Sequence, residues 1–165
     1  MLALPASAAL WFLPFVTPIA LWVMWSDMAT MRIPNKAVLA LTLVFAVVGL
    51  VALPFEDWAW RWAHLGVVLL IGFILSAAGL LGAGDAKFAA AMAPFVAVQD
   101  LGLFLPLFAA ILLAAFAAHR TVRALPALRG MTPDWASWQS KQFPMGLALG
   151  AGLVAYLGLA ALSGA

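Results

Sequence analysis

Two acidic residues in an otherwise apolar chain carry the chemistry that the sequence offers. Asp27 lies in MWSDMATMRIPNKAV and Asp85 in LLGAGDAKFAA, each where a long apolar run ends. Two carboxylates held about 3 Å apart cannot both ionise, so they share a proton. One then takes a proton from water while the other protonates or polarises a scissile carbonyl, which is the chemistry of an aspartyl protease. The titration of such a dyad belongs to the pair rather than to either member. Gly82 and Gly84, just ahead of Asp85, let backbone and substrate approach without a Cβ in the way. Each acid also has a simpler explanation. Asp85 behind two glycines is placed to cap a helix. Asp27 is placed as a solvated anion at a helix end, and Arg32-Ile33-Pro34-Asn35 as a turn with Pro34 opening the next helix. Ionisable residues at membrane depth are usually functional, but that rule weakens at the interface.

The elements that must position these residues are apolar. The 165 residues are 67% hydrophobic and 8% charged, against roughly 25% charged in a soluble domain. Lipid must therefore be the solvent for much of the surface. Six runs approach the length of about 20 residues that crosses a bilayer: 7–26, 37–54, 63–81, 86–99, 101–118 and 143–163. The fourth is short, contains Pro94 and closes at Gln99-Asp100. Connections are short and no internal repeat is visible, so residues 1–165 form a single domain. The expected fold is an all-α integral membrane protein, a bundle of about six transmembrane helices. Pro14 and Pro18 should bend the first helix. Gly146 and Gly150 form a small-xxx-small pair that suits close helix packing in the last.

Orientation follows from the cations. With six crossings, Arg32, Lys36, Lys87, Arg120, Arg123, Arg129 and Lys141 fall on one side and Arg61 alone on the other. The first side is then cytoplasmic, both termini face out, and Asp27 and Asp85 finish together at the cytoplasmic edge. Trp58, Trp60 and Trp62 in PFEDWAWRWAH read as an outer aromatic belt. The formal charge of +2 is spread along the chain, which excludes a basic patch for nucleic acid. The absence of cysteine excludes disulfides and thiolate metal sites. No Lys or Arg precedes Arg32, so the N-terminus lacks the basic start of a secretory signal peptide and is expected in the mature protein.

Three elements together resemble one known family. Gly82-Ala83-Gly84-Asp85 followed by Lys87 resembles the GxGD motif of the prepilin peptidases in its GxGDxK form. Asp27 ahead of Arg32-Ile33-Pro34-Asn35 resembles their first aspartate motif. Phe143-Pro144-Met145-Gly146 is similar to their P-[FY]-G element, with Met145 replacing the aromatic. The order is the family's and the resemblance extends over essentially the whole chain. It implies an integral-membrane aspartyl peptidase of a prokaryotic inner membrane. Such enzymes remove the short basic leader from prepilins and pseudopilins on the cytoplasmic side, typically after a Gly just before the pilin's hydrophobic helix. Carried over, Asp27 and Asp85 are the catalytic pair and Gly82 and Gly84 shape the loop. Arg32, Pro34, Asn35, Lys87, Pro144 and Gly146 are motif residues on the substrate side. Larger members carry a cytoplasmic insert with paired cysteines and also methylate the new N-terminus. This chain lacks both cysteines and insert, so it resembles the small peptidase-only branch of tight-adherence or Flp-type pili, with no zinc, no cofactor and no methyltransferase activity expected. Archaeal-type preflagellin peptidases share the core, so a related filament subunit also fits as substrate.

Other polar residues are expected to be less consequential. His64 and His119 fall at opposite faces as interfacial side chains, which excludes a shared metal site. Glu56 and Asp57 lie on the far side from the dyad, and Asp100 in a short outer turn. Thr132-Pro133-Asp134 resembles a helix start, and Trp135 and Trp138, three apart, suit one face of a short surface helix that anchors to the membrane and covers the dyad or guides substrate. Two rivals to the enzyme are a small transporter or channel using Asp27 and Asp85, and an inactive scaffold of pilus assembly. The former lacks the repeat expected of many transporters and leaves RIPN and the GxGD glycines unexplained.

Overall fold

Apolar segments in lipid must satisfy their backbone internally, and only helices do so one segment at a time. A computed structural model describes residues 2–163 and is helical throughout its regular parts. Four long helices open directly behind a proline: Pro5 before α1 (Ala6–Thr30), Pro34 before α2 (Asn35–Ala52), Pro54 before α3 (Phe55–Ala77) and Pro144 before α7 (Met145–Leu162). Proline loses nothing there, because the first N–H groups of a helix have no intrahelical partner. Its carbonyl still starts the ladder, as Ala9 N–H to Pro5 O (3.0 Å) and Trp58 N–H to Pro54 O (2.9 Å) show. Between these lie α4 (Ala83–Met92), α5 (Leu101–Ala124) and a single turn, α6 (Pro126–Arg129).

Among the described residues five helical stretches are long and apolar enough to cross a membrane: α1, α2, α3, α5 with its preceding turn, and α7. The chain is a membrane protein whose outer helices present Leu70, Phe73, Leu105 and Leu113 to lipid. The central pair is α1 against α7, with α2, α4 and α5 packed around it. Phe12, Phe45, Phe95, Leu153 and Tyr156 fill the core, and Phe12 meets Phe95 edge-on at 4.9 Å. α1 runs unbroken through Pro14 and Pro18. It stops at Met31, whose left-handed φ of 54° turns the chain sharply into the Arg32–Pro34 segment. Ser26 Oγ donates to Arg32 O at 2.9 Å and holds that turn closed.

The fourth expected run, 86–99, is not one continuous helix and is not among the five stretches long enough to cross. α4 has 10 residues, about 15 Å of rise, half of a bilayer's hydrocarbon core. The remainder consists of two 3-10 turns, Ala93–Phe95 and Val98–Asp100. Pro94 removes a donor and breaks the ladder. Non-helical backbone is tolerated at this depth only inside protein, and Phe88, Ala91, Pro94, Phe95 and Ala97 are buried. A polar cluster satisfies the broken stretch. Arg61 donates to Pro94 O (3.1 Å) and Phe95 O (3.4 Å). Tyr156 Oη accepts from Ala97 N–H (3.2 Å) and donates to Asp100 Oδ2 (2.7 Å). Asp100 also accepts from the N–H groups of Ala3 (2.7 Å) and Leu4 (3.1 Å), which ties down the start of the chain. Asp100 does end a short turn, Val98–Asp100, but its side chain is buried and structural.

Three further expectations change. α3 starts at Phe55 rather than 63, because Pro54 opens it and Glu56 and Asp57 suit the positive end of a helix. The tryptophans therefore sit on its first turns. Trp60 faces outward, while Trp58 donates to Phe45 O (3.3 Å) and Trp62 stacks edge-on against Phe45, both packing α3 on α2. His119 is buried rather than interfacial, stacked on Trp138 with ring centroids 5.1 Å apart. The Asp134 segment forms a 3-10 turn, Ala136–Trp138, and Trp138 turns inward with Nε1 donating to Thr132 O (2.8 Å).

Candidate active site

Both singled-out carboxylates line one polar cavity of about 340 Å³ at one end of the bundle. The end of α1 and the starts of α2, α4 and α7 meet there, with the segments that precede them. Asp27 sits one turn before the end of α1 and is buried. Asp85 is the third residue of α4 and half-buried. It is not the helix cap; Gly82 is, and Asp85 reaches back to accept from the Gly82 N–H. This is one half of a capping box. Burial first, and the negative charge of Asp27 second, push the Asp85 carboxyl up to about 6, against the opposing pull of the Gly82 N–H. The like charge of Asp27 thus helps Asp85 keep its proton into mildly acid pH.

A glycine stands where the backbone meets each carboxylate. Asp27 Oδ2 accepts from Gly146 N–H at 2.6 Å. Gly146 is the second residue of α7, so the positive end of that helix faces Asp27. A Cβ at Gly146 would lie 2.9 Å from both Cβ and Oδ2 of Asp27. A Cβ at Gly82 would lie 2.5 Å from Asp85 Oδ2. At Gly84 the nearest atom is Ile33 Cβ at 3.4 Å, so α4 packs its first turn on the Arg32–Pro34 segment.

The cavity wall includes Arg32, Asn35, Gly82, Gly84 and Lys87 of the residues singled out from sequence. Lys87 Nζ donates to Asn35 Oδ1 at 3.5 Å and bridges α4 to α2. Pro34, Pro144 and Gly146 stand behind the wall: the prolines open α2 and α7, and Gly146 holds Asp27. Met31, Ile33, Gln142, Phe143 and Met145 also line the cavity. Phe143 and Met145 belong to the FPMG stretch and were legible in it. Gln142 carried no sequence signal, and Met31 is recognisable only by its left-handed backbone. Phe143 connects the cavity to the buried His119, with ring centroids 5.7 Å apart. Trp135 and Trp138 stack on each other at 5.8 Å and are absent from the cavity wall. No three metal-ligating side chains come together among the described residues.

The sequence profile of the type IV leader peptidase family matches residues 14–119. The chain belongs to that family, a family of proteases, and its apolar helices make it a membrane-embedded one. The match contains Asp27, the RIPN segment, the GxGD glycines, Asp85 and Lys87, and ends before FPMG. No curated protein and no solved structure matches the chain significantly.

Proposed function

We propose that this chain is an aspartic endopeptidase in which Asp27 and Asp85 form the catalytic pair. One observation carries the reading: two acids 58 positions apart (85 − 27) line the same polar cavity, each against backbone that only glycine allows so near. A water between the carboxylates loses a proton to the ionised member and attacks the scissile carbonyl. The protonated member gives its proton to the carbonyl oxygen, which makes a tetrahedral diol; the other then passes the water's proton to the amine nitrogen as the C–N bond breaks, and a diol proton returns to the first. The open cavity at the bundle end supplies the water that a bilayer core lacks. Asn35, Lys87 and Arg32 are the polar groups available to hold the peptide backbone on either side of the cut.

The substrate that fits the family is a prepilin or pseudopilin, cut between its short basic leader and its hydrophobic helix, in the inner membrane of a prokaryote. The cavity end carries Arg32, Lys36, Lys87, Arg120, Arg123, Arg129 and Lys141, and the other end Arg61. The positive-inside rule then assigns the cavity to the cytoplasm and both termini to the outside, with 1–165 acting as one domain. The absence of cysteine fits the small branch that cleaves without methylating.

The test is cleavage in liposomes of a prepilin from the same organism by wild type, Asp27→Asn and Asp85→Asn. The expected result is leader release by wild type alone, with all three chains folded. Cleavage by either variant at the wild-type rate sinks the two-aspartate mechanism.

A further inference from the structure

A second, larger cavity of about 520 Å³ lies between α3 and α5, and its lining is almost wholly apolar. α3 contributes Ala63, His64, Val67 and Val68, at spacings of one, three and one. α5 contributes Leu101, Phe104, Leu105 and Phe108, at spacings of three, one and three. Both are single helical stripes, and they face each other without packing together, since the helices pack instead on α4 and α7. The floor is Ala89, Met92 and Ala93, where the helical part of the fourth run ends. Val67 and Leu105 are 56% and 58% exposed, so the walls open toward lipid.

The groove and the carboxylate cavity share no lining residue, but they adjoin along α4 and α7. Asp85, Ala89 and Met92 stand at i, i+4 and i+7 on one face of α4. At 1.5 Å per residue, Ala89 and Met92 lie about 6 and 10 Å along the axis from Asp85. On α7, Met145 lines the first cavity and Leu149, one turn on, lines the second. We propose that the groove between α3 and α5 docks the apolar transmembrane helix of the substrate, entering sideways from the lipid. The inference rests on the peptidase reading and deepens it. Two facing stripes with a floor between them match the ridges of a third helix. A chain leaving the carboxylate cavity along α4 enters the groove within one helical turn. Recognition therefore extends to the body of the substrate, and specificity comes from apolar contacts with a helix that begins beside the scissile bond.

Two substrates separate the groove from the dyad: a full prepilin in liposomes, and a soluble peptide covering only the leader and the first few residues after the cut. Val67→Trp and Leu105→Trp fill the groove from either wall. Phe73→Trp, on a lipid-facing position of α3 outside the groove, is the control. The ratio of kcat/KM for prepilin over peptide is expected to fall about tenfold in each groove variant, or about 1.4 kcal/mol, and to stay unchanged in the control. An unchanged ratio in the groove variants overturns the proposal. Photo-crosslinkers at Val67 and Leu105 in an Asp85→Asn background give a readout independent of turnover. Adducts in the prepilin's apolar helix support the groove; adducts only to lipid or to a second copy of this chain overturn it. A wild-type chain that cleaves neither substrate refutes the peptidase reading itself, and the crosslinks still decide the occupant.

Discussion

Gly146→Ala is the sharpest probe of how the cavity is built. The new Cβ would stand 2.9 Å from Cβ and Oδ2 of Asp27 and 3.2 Å from its Cγ. Carbon atoms prefer about 3.5–4.0 Å, so the two groups must part by about 0.6–1 Å. The 2.6 Å hydrogen bond from Gly146 N–H to Asp27 Oδ2 lengthens with them, and a bond to a charged group is worth about 1.5–3 kcal/mol. Catalytic groups tolerate displacements of about 0.5 Å, and a shift of 1 Å costs about 10²-fold. The expected outcome is a fall in kcat of about 10- to 100-fold with KM little changed. Alanine is favoured over glycine by up to about 1 kcal/mol in a helix, which offsets only part of that loss, so the unfolding midpoint should fall modestly. Gly158→Ala on the same helix meets no atom within 4 Å and should keep full activity. The assay is leader cleavage in liposomes beside denaturant unfolding in mixed micelles. Wild-type kcat in Gly146→Ala, or an equal loss in Gly158→Ala, refutes the argument that this glycine exists for Asp27.

The remaining predictions concern charge. Asp85 is raised from 3.8 to about 6, so folding binds its proton more tightly than the unfolded chain does. Its contribution to stability is therefore fullest at acid pH and is lost as pH rises from 3.8 through about 6. Activity that needs one shared proton should decline on an alkaline limb with a midpoint near the same value. Asp27→Asn removes a like charge, so NMR titration should find Asp85 lower in that variant, and an unshifted Asp85 would contradict the coupling. At the far end, Arg61→Ala strips the donors from Pro94 O and Phe95 O in a buried stretch. Each orphaned acceptor costs about 1–3 kcal/mol, so the unfolding midpoint should drop clearly. Arg61→Lys should recover part of it, and an unchanged midpoint in Arg61→Ala would show that the broken crossing needs no such clamp.

Much of this protein was legible in its sequence because lipid imposes a simple rule. Apolar length alone predicts helices, and five of the six expected runs are long helices. Short connections and alternating crossings put Asp27 and Asp85 at one end, and motif order pointed to the family. Local chemistry was legible too, since Pro34 and Pro144 open helices as their type requires. Only the tertiary structure decided the rest. Nothing local tells that Gly146 serves Asp27, which is 119 residues away, or that Asp100 serves Ala3, at a separation of 97. The short α4 and its two irregular turns are stable because Arg61 and Tyr156 arrive from two separate segments to meet the broken backbone, with Asp100 at its end accepting from Tyr156. His119 reads as interfacial until Trp138 folds over it. Hydropathy reports how each segment prefers to meet its solvent. The partners of a buried polar group depend on which segments pack together, and that is a property of the assembled bundle.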